Sequence, residues 1–218
     1  VCDPFSGSGT TLVEGKTLGM NAIGCDISAF NCLLAKVKTD KYDVEKLERE
    51  AKDIVKRLDE RIGTGLFSKN DFDETTASEY LRRWFHPEAL RALLCYRSLI
   101  PTYEYKTVFK VIMSRAARSA RLTTHFDLDF PKKPQTEPYF CYKHARTCKP
   151  TDNALQFLYR YTENTVGRIR EFSTLAKKSN VQIFNADSRM LKFPRFDMIM
   201  TSPPYVGLID YHEQHRYA

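Results

Sequence analysis

Nothing narrows the fold of this chain more than its opening string, Val1-Cys2-Asp3-Pro4-Phe5-Ser6-Gly7-Ser8-Gly9-Thr10-Thr11. A short apolar run followed by two closely spaced glycines predicts a strand end, a tight turn and a helix over Thr10 to about Leu18. Gly19 ends that helix. Asn21-Ala22-Ile23-Gly24-Cys25 then reads as a short buried strand stopped by Asp26, and Ala29 to about Lys38 as a second helix. The β-α-β-α order is the start of a doubly wound parallel sheet. Five of the nine glycines fall in the first 24 residues, and glycines after a strand let backbone approach a ligand closely. The helix N-terminus behind them offers unpaired N–H groups to a carboxylate or phosphate. No Gly-Lys-Ser/Thr follows, so this is not a nucleotide-phosphate loop of the Walker type, and the full spacing of the dinucleotide fingerprint is missing as well.

From Val44 the pattern changes. Val44, Leu47, Ala51, Ile54, Val55, Leu58 and Ile62 recur every three or four residues, which predicts an amphipathic helix with a charged outer face. Gly63–Asp73 reads as a loop. Helices are expected over Ala77–Trp84, Pro87–Leu99 with proline at the favoured first turn, and Tyr103–Ser119. Residues 123–150 hold Pro131, Pro134, Pro138 and Pro150 among scattered aromatics and read as irregular. Thr151 is expected to cap a long helix to about Lys178. Val181–Phe184 and Phe196–Met200 then read as strands, the second leading into Thr201-Ser202-Pro203-Pro204-Tyr205. The layout is an α/β domain in two pieces, 1–40 and 181–218, separated by a mostly helical insertion, 41–180.

Charge marks out the insertion. Residues 106–180 carry 15 basic and 6 acidic side chains, so this segment alone exceeds the whole chain's net charge of +7. A basic excess gathered in one stretch is what a polyanion partner requires. Arg115, Arg118 and Arg121, at i, i+3 and i+6, would line one helix face, as a nucleic-acid footprint or a merely solvated face; the charge of the segment favours nucleic acid. No apolar run approaches the roughly 18–20 residues of a membrane-spanning helix, and no signal-peptide pattern opens the chain. The expectation is a soluble, cytoplasmic protein without membrane partners.

The chemistry-bearing positions converge on a nucleoside and a base. Asp26 ends the second strand 23 positions after Asp3, where a carboxylate in nucleoside-binding α/β domains accepts the ribose hydroxyls; alone, such an Asp is more often a helix cap, and Ser28 competes for that duty. Asn185-Ala186-Asp187, at the end of a strand, could hold an adenine edge or form a simple turn. In Thr201-Ser202-Pro203-Pro204-Tyr205 the prolines fix the backbone and remove two N–H donors, so carbonyl oxygens around Ser202 and Pro203 can face outward as acceptors. An adjacent Tyr205 supplies a π-face. Acceptors beside an aromatic ring suit an exocyclic amino group on a planar base.

Together, Asp-Pro-Phe-x-Gly-x-Gly-Thr-Thr and Ser-Pro-Pro-Tyr resemble the amino-methyltransferases of DNA, which methylate N4 of cytosine or N6 of adenine with S-adenosylmethionine. The resemblance covers some 75 residues at the two ends of the chain. It implies a Rossmann-like methyltransferase sheet in which Asp3, Phe5, Gly7, Gly9, Thr10 and Thr11 surround the methionine part of the cofactor. Asp26 would take the ribose and Asp187 the adenine, while Ser202, Pro203, Pro204 and Tyr205 would hold the target base. Ser at the first position of the tetrapeptide is typical of the cytosine-N4 branch. The alternatives are an adenine-N6 enzyme acting on DNA or RNA and a truncated, non-catalytic nucleic-acid-binding fragment. A 5-carbon cytosine methyltransferase fits less well, because it needs a Pro-Cys nucleophile and no cysteine here follows a proline. The family's sheet normally has about seven strands and only four are found, so the reading includes an incomplete sheet and self-association or a complementary chain. A restriction endonuclease would be a natural partner system.

The six cysteines are irregularly spaced and read as reduced thiols. Cys141, His144 and Cys148 form a C-x2-H-x3-C run that could bind zinc with a fourth ligand from Cys95, His125 or elsewhere. A single run of this kind is more often ordinary thiols and a surface histidine, so no metal is expected.

Overall fold

The computed structural model describes residues 1–64, 79–125 and 133–203. Along the chain these form β1 (Cys2–Asp3), α1 (Thr10–Leu18), β2 (Ala22–Asp26), α2 (Ala29–Thr39), α3 (Val44–Gly63), α4 (Glu79–Trp84), α5 (Pro87–Leu99), α6 (Lys106–Ala120), β3 (Tyr139–Cys141), β4 (Arg146–Cys148), α7 (Leu155–Leu175) and β5 (Val181–Asn185). Two compact units result: residues 1–45 with the described residues from 166 onward, and residues 46–165.

The first unit is built on a parallel sheet in the order β1-β2-β5. Cys2 pairs with Ile23 and Asp3 with Gly24, while Ala22 to Asp26 pair in step with Val181 to Asn185. On the other side of β1, Cys2 N–H donates to Met198 O (2.8 Å) and Met200 N–H donates to Cys2 O (3.0 Å). The expected Phe196–Met200 strand is thus a single parallel bridge at Ile199. β2 is apolar because it lies between neighbours with both faces covered; its first four residues are buried. Leu12 of α1, Ala22 of β2 and Ala35 of α2 form the core, flanked by Val1, Val181 and Ile183. Small residues at 22 and 35 let the helices settle close to the sheet. Gly9 shows how close: its φ is +87°, and a Cβ there would lie 2.7 Å from that of Ala35.

The second unit is a helical cluster with a β-hairpin. α3 turns Leu47, Ala51, Ile54 and Leu58 inward, α5 buries Ala89, Ala92, Leu93, Tyr96 and Leu99, and α6 buries Val108, Phe109 and Ile112. Polar ties fasten α3 to the α5–α6 corner. Glu50 accepts from the N–H groups of Glu104 (3.2 Å) and Tyr105 (3.1 Å), and so serves the start of α6, where Tyr105 offers no side-chain cap. Tyr103 Oη donates to Asp53 Oδ2 (2.7 Å).

Two expectations change here. The stretch 123–150, read as irregular, contains β3 and β4, paired antiparallel with Tyr139 opposite Cys148 and Cys141 opposite Arg146; strands of three residues are too short to show alternation. The cap before α7 is Asn153, whose Oδ1 accepts from Leu155 N–H (2.8 Å), rather than Thr151. The expected loop from Gly63 to Asp73 lies outside the described residues from position 65.

Candidate active site

The carboxyl ends of β1, β2 and β5, together with the segment after Ile199, gather the sequence-predicted residues of the first unit along one edge. The strand order reverses at β1, which has β2 on one side and the Ile199 segment on the other. Open α/β sheets take their ligands at such a switch point, outside the carboxyl strand ends.

The turn after β1 is shaped by its glycines. Gly7 and Gly9 have φ of +51° and +87°, and the left-handed backbone costs a residue with a Cβ about 1–2 kcal/mol. Gly9 occupies the N-cap position of α1 and makes no side-chain cap bond. Ser6 N–H donates to Cys25 O (2.9 Å) and Gly7 N–H to Asp26 Oδ2 (2.9 Å), which locks the turn over the end of β2. Phe5 is 40% exposed and Thr10 is exposed at the helix start.

Asp3 does something that its position alone did not reveal. It is buried, 4% exposed. Its Oδ2 accepts from Thr11 Oγ1 (2.7 Å), while Oδ1 accepts from Phe5 N–H (3.2 Å) and Thr201 Oγ1 (2.7 Å). One carboxylate therefore ties the glycine turn, the first turn of α1 and the approach to Ser202. Ser202 and Pro203 are exposed. Pro204 and Tyr205 lie outside the described residues.

Asp26 ends β2 half-buried, and both readings of it are visible. Oδ1 accepts from Ser28 N–H (2.8 Å) and Asn31 Nδ2 (3.2 Å), and Oδ2 from Gly7. Ser28 itself caps α2 through Asn31 N–H. A carboxylate has about four acceptor positions, so one on Oδ2 remains open to a hydroxyl. Asn185 Nδ2 donates to Asp26 O and Ile27 O, both at 3.0 Å, joining the ends of β2 and β5. Asp187 follows, paired through both oxygens with Arg189. Those hydrogen bonds hold its carboxyl down to about 2, so it is ionised throughout the neutral range.

These residues fit an adenosyl cofactor: N–H groups at the start of α1 for a carboxylate, Asp26 for a ribose hydroxyl, and apolar Phe5 and Ile27 exposed at successive strand ends for a sulfonium chain and a purine face. Burial pushes the thiols of Cys2, Cys25 and Cys32 up. Cys25 Sγ donates to Ala186 O (3.2 Å). Thiols kept protonated in this way are poor nucleophiles, which disfavours covalent attack on a base by a cysteine.

Comparisons with known proteins point to one family. Residues 1–37 match the N6/N4 methyltransferase family, described as DNA methylase. The Type II methyltransferase M.MjaII of Methanocaldococcus jannaschii is 36% identical over 296 aligned positions, which take in 100% of this chain and 56% of that protein. The two findings together support the DNA amino-methyltransferase family. The Type II methyltransferase M.MvaI of Kocuria varians is 27% identical over 93% of the chain and 45% of its own length. M.BsoBI of Geobacillus stearothermophilus, another Type II methyltransferase, is 24% identical over 97% of the chain and 44% of its own length. The chain spans about half the length of these relatives. No solved structure matches it. Its mixed α/β architecture with a parallel sheet is consistent with the Rossmann-like methyltransferase fold of the family.

The structure separates the arginine triplet. α6 ends at Ala120, so Arg121 leaves the helix with extended backbone. It is 3% exposed, with its guanidinium 6.0 Å from the Trp84 ring. Buried there, Arg121 cannot meet a phosphate without the fold opening, and its place in the triplet is corrected accordingly. Arg115 donates to Thr165 Oγ1 (2.7 Å) and Asn164 Oδ1 (3.0 Å) over the Tyr161 ring; Arg118 is half-buried. Lys143, Arg146 and Lys149 around the hairpin are exposed. Sequence reading did not single them out, because three cations in an irregular segment have no period. Among the described residues no helix is long and apolar enough to cross a membrane.

Proposed function

We propose that this chain carries the cofactor-binding and catalytic part of an S-adenosylmethionine-dependent DNA methyltransferase that acts on the exocyclic N4 amine of cytosine. The observation that carries the reading is the bond from Thr201 Oγ1 to Asp3 Oδ1 (2.7 Å). The cofactor turn and the start of the base-holding string leave adjacent strand ends and share one buried carboxylate. A methyl donor and an acceptor base seated on those two strings would be held as neighbours, and orientation of this kind removes much of the barrier to a bimolecular transfer.

The cofactor supplies an electrophilic methyl group on a sulfonium. The first turn of α1 would hold the methionine carboxylate through its N–H groups. Asp26 would take one ribose hydroxyl on the open position of Oδ2, and a second could displace Asn31, its longest hydrogen bond. Asp187 would accept from the adenine amino group. On the other side, the carbonyl oxygens of Ser202 and Pro203 would accept both N–H bonds of the target amine, drawing its lone pair out of conjugation while the proton lost on methylation passes to solvent. Pro204 would add a rigid backbone and Tyr205 a stacking face for the flipped base. Preorganised acceptors of this sort need no rearrangement during reaction.

DNA is the proposed partner of the basic second unit, and a restriction endonuclease the proposed companion system. The cytosine assignment rests on Ser202 through the family resemblance. Methyl transfer from labelled cofactor to DNA, followed by digestion to nucleosides and mass spectrometry, tests it. N4-methylcytosine is the expected product. N6-methyladenine would move the target to adenine, and cofactor binding without any transfer would leave a binding fragment.

A further inference from the structure

We propose that His125, Cys141, His144 and Cys148 bind one structural zinc ion that fixes the β3–β4 hairpin in the second unit. Their ligand atoms all lie within 4.8 Å of one another. Cys141 Sγ is 3.6 Å from His125 Nδ1 and 3.5 Å from His144 Nδ1, and Cys148 Sγ is 3.5 Å from His144 Nδ1. Zn–S and Zn–N bonds of about 2.3 and 2.0–2.1 Å at tetrahedral angles set a sulfur–nitrogen edge of about 3.6 Å. These sulfur–nitrogen separations already match the edge of a tetrahedron around that ion.

Ordinary thiol–imidazole hydrogen bonds account for this arrangement less well. A ring nitrogen has one in-plane direction, either a lone pair or an N–H, and a thiol has one proton. Yet His144 Nδ1 faces two sulfurs and Cys141 Sγ faces two nitrogens. Atoms that point at a common centre rather than at one another in pairs are arranged as ligands. Two sulfurs and two nitrogens select zinc over hard cations such as magnesium or calcium. Four protein ligands leave no open position, so the role is structural.

The surroundings assemble the site from three short pieces. His144 N–H donates to Cys141 O (3.1 Å), and Ala145, with φ of +50°, reverses the chain so that Cys148 returns beside Cys141. His125, 16 residues upstream of Cys141, is brought in by its own N–H, which donates to Tyr139 Oη (2.9 Å). Its ring meets that of His144 edge-on at 4.8 Å. The sulfurs are inside, with Cys141 0% and Cys148 8% exposed.

The hairpin also needs such a staple. Each strand has three residues, and Phe140 and Tyr142 face outward, 54% and 79% exposed. A two-stranded ribbon of this size has too little apolar burial to hold itself. Metal affinity contributes directly to the folding of such small elements. Binding releases the two thiol protons, and two thiolates neutralise the dication, so the centre adds no charge to a basic segment.

The test is metal analysis of the intact protein, grown with zinc and passed through metal-free buffer. About one zinc per chain is expected. Cobalt exchanged into the site should show thiolate-to-cobalt charge transfer and the intense visible bands of a tetrahedral centre. Cys141→Ser with Cys148→Ser should reduce bound zinc at least about tenfold, whereas Cys95→Ser, a buried thiol on α5, should keep it. If the double variant does not fold, the wild-type cobalt spectrum decides. A wild-type protein with less than about a tenth of an equivalent, a cobalt spectrum without charge transfer, or a folded double variant with its zinc intact would each overturn the proposal.

Discussion

Asp26 carries two duties, and separating them is the sharpest test at the scale of single residues. Its carboxylate organises the loop through Gly7, Ser28 and Asn31, and its remaining acceptor position is the one proposed for ribose. Asp26→Ala is expected to weaken S-adenosylmethionine binding by about 1.5–3 kcal/mol, the range for hydrogen bonds to a charged group. Asn31→Ala, which removes only the longest of the loop's bonds to this carboxylate, is expected to leave affinity within a few-fold. Titration calorimetry measures both; an unchanged affinity in folded Asp26→Ala would return this residue to loop organisation alone. Asp26 was legible as the residue that closes β2, because a carboxylate after a short apolar run marks a strand end; which of its two duties dominates is what the calorimetry decides. Asp3 was legible as a motif member but not as a brace, since its partner Thr201 lies 198 positions away. Arg121 was misread because a period of three or four assumes that the helix continues, and α6 stops one residue earlier.

At the scale of elements, the strand–turn–helix opening could be read because its constraints are local: positive φ at Gly7 and Gly9 leaves a signature in the sequence itself. The two glycines are constrained differently. A Cβ at Gly7 would meet nothing within 4 Å, whereas at Gly9 it would meet Ala35 Cβ at 2.7 Å and Cα at 2.9 Å. Gly7→Ala is therefore expected to cost about 1–2 kcal/mol, from backbone conformation alone. Gly9→Ala should cost more, because α2 must also move off α1. Urea denaturation of the two variants gives the comparison, and equal losses would mean that α2 does not press on the turn. The hairpin β3–β4 escaped sequence reading for the opposite reason. Its strands are too short for alternation, and what gathers it is a side-chain cluster whose fourth member, His125, has no fixed spacing from the other three. Elements held by periodic burial announce themselves; one held by a few convergent polar atoms shows at most a local spacing, here C-x2-H-x3-C, which marks side chains and not strands.

At the scale of the whole molecule, two regions bear on association. The Ile199 segment, beside β1, exposes Ile199 and Met200 at 56% and 55%; among the described residues nothing pairs with its outer side, and a strand edge of that kind with apolar side chains favours pairing with more chain. The 218-residue chain alone is expected to exceed its monomer mass in light scattering, and Ile199→Lys with Met200→Lys to restore the monomer; a monodisperse wild-type monomer would count against this. The second is the basic excess of residues 106–180, where the net charge was legible in the sequence but the exposure of each cation was not. If Arg115 and Arg118 touch phosphates, changing both to Gln lowers the slope of log K against log salt by about 0.9 for each phosphate no longer neutralised. The same holds for Lys143, Arg146 and Lys149, which are exposed around the hairpin. Arg121→Gln should behave otherwise: buried over Trp84, it should lower stability while leaving the slope where it was. DNA binding measured across a range of salt concentrations separates the two classes. A fall in slope for Arg121→Gln in a protein of unchanged stability would show that this arginine reaches DNA, and would require the end of α6 to open on binding.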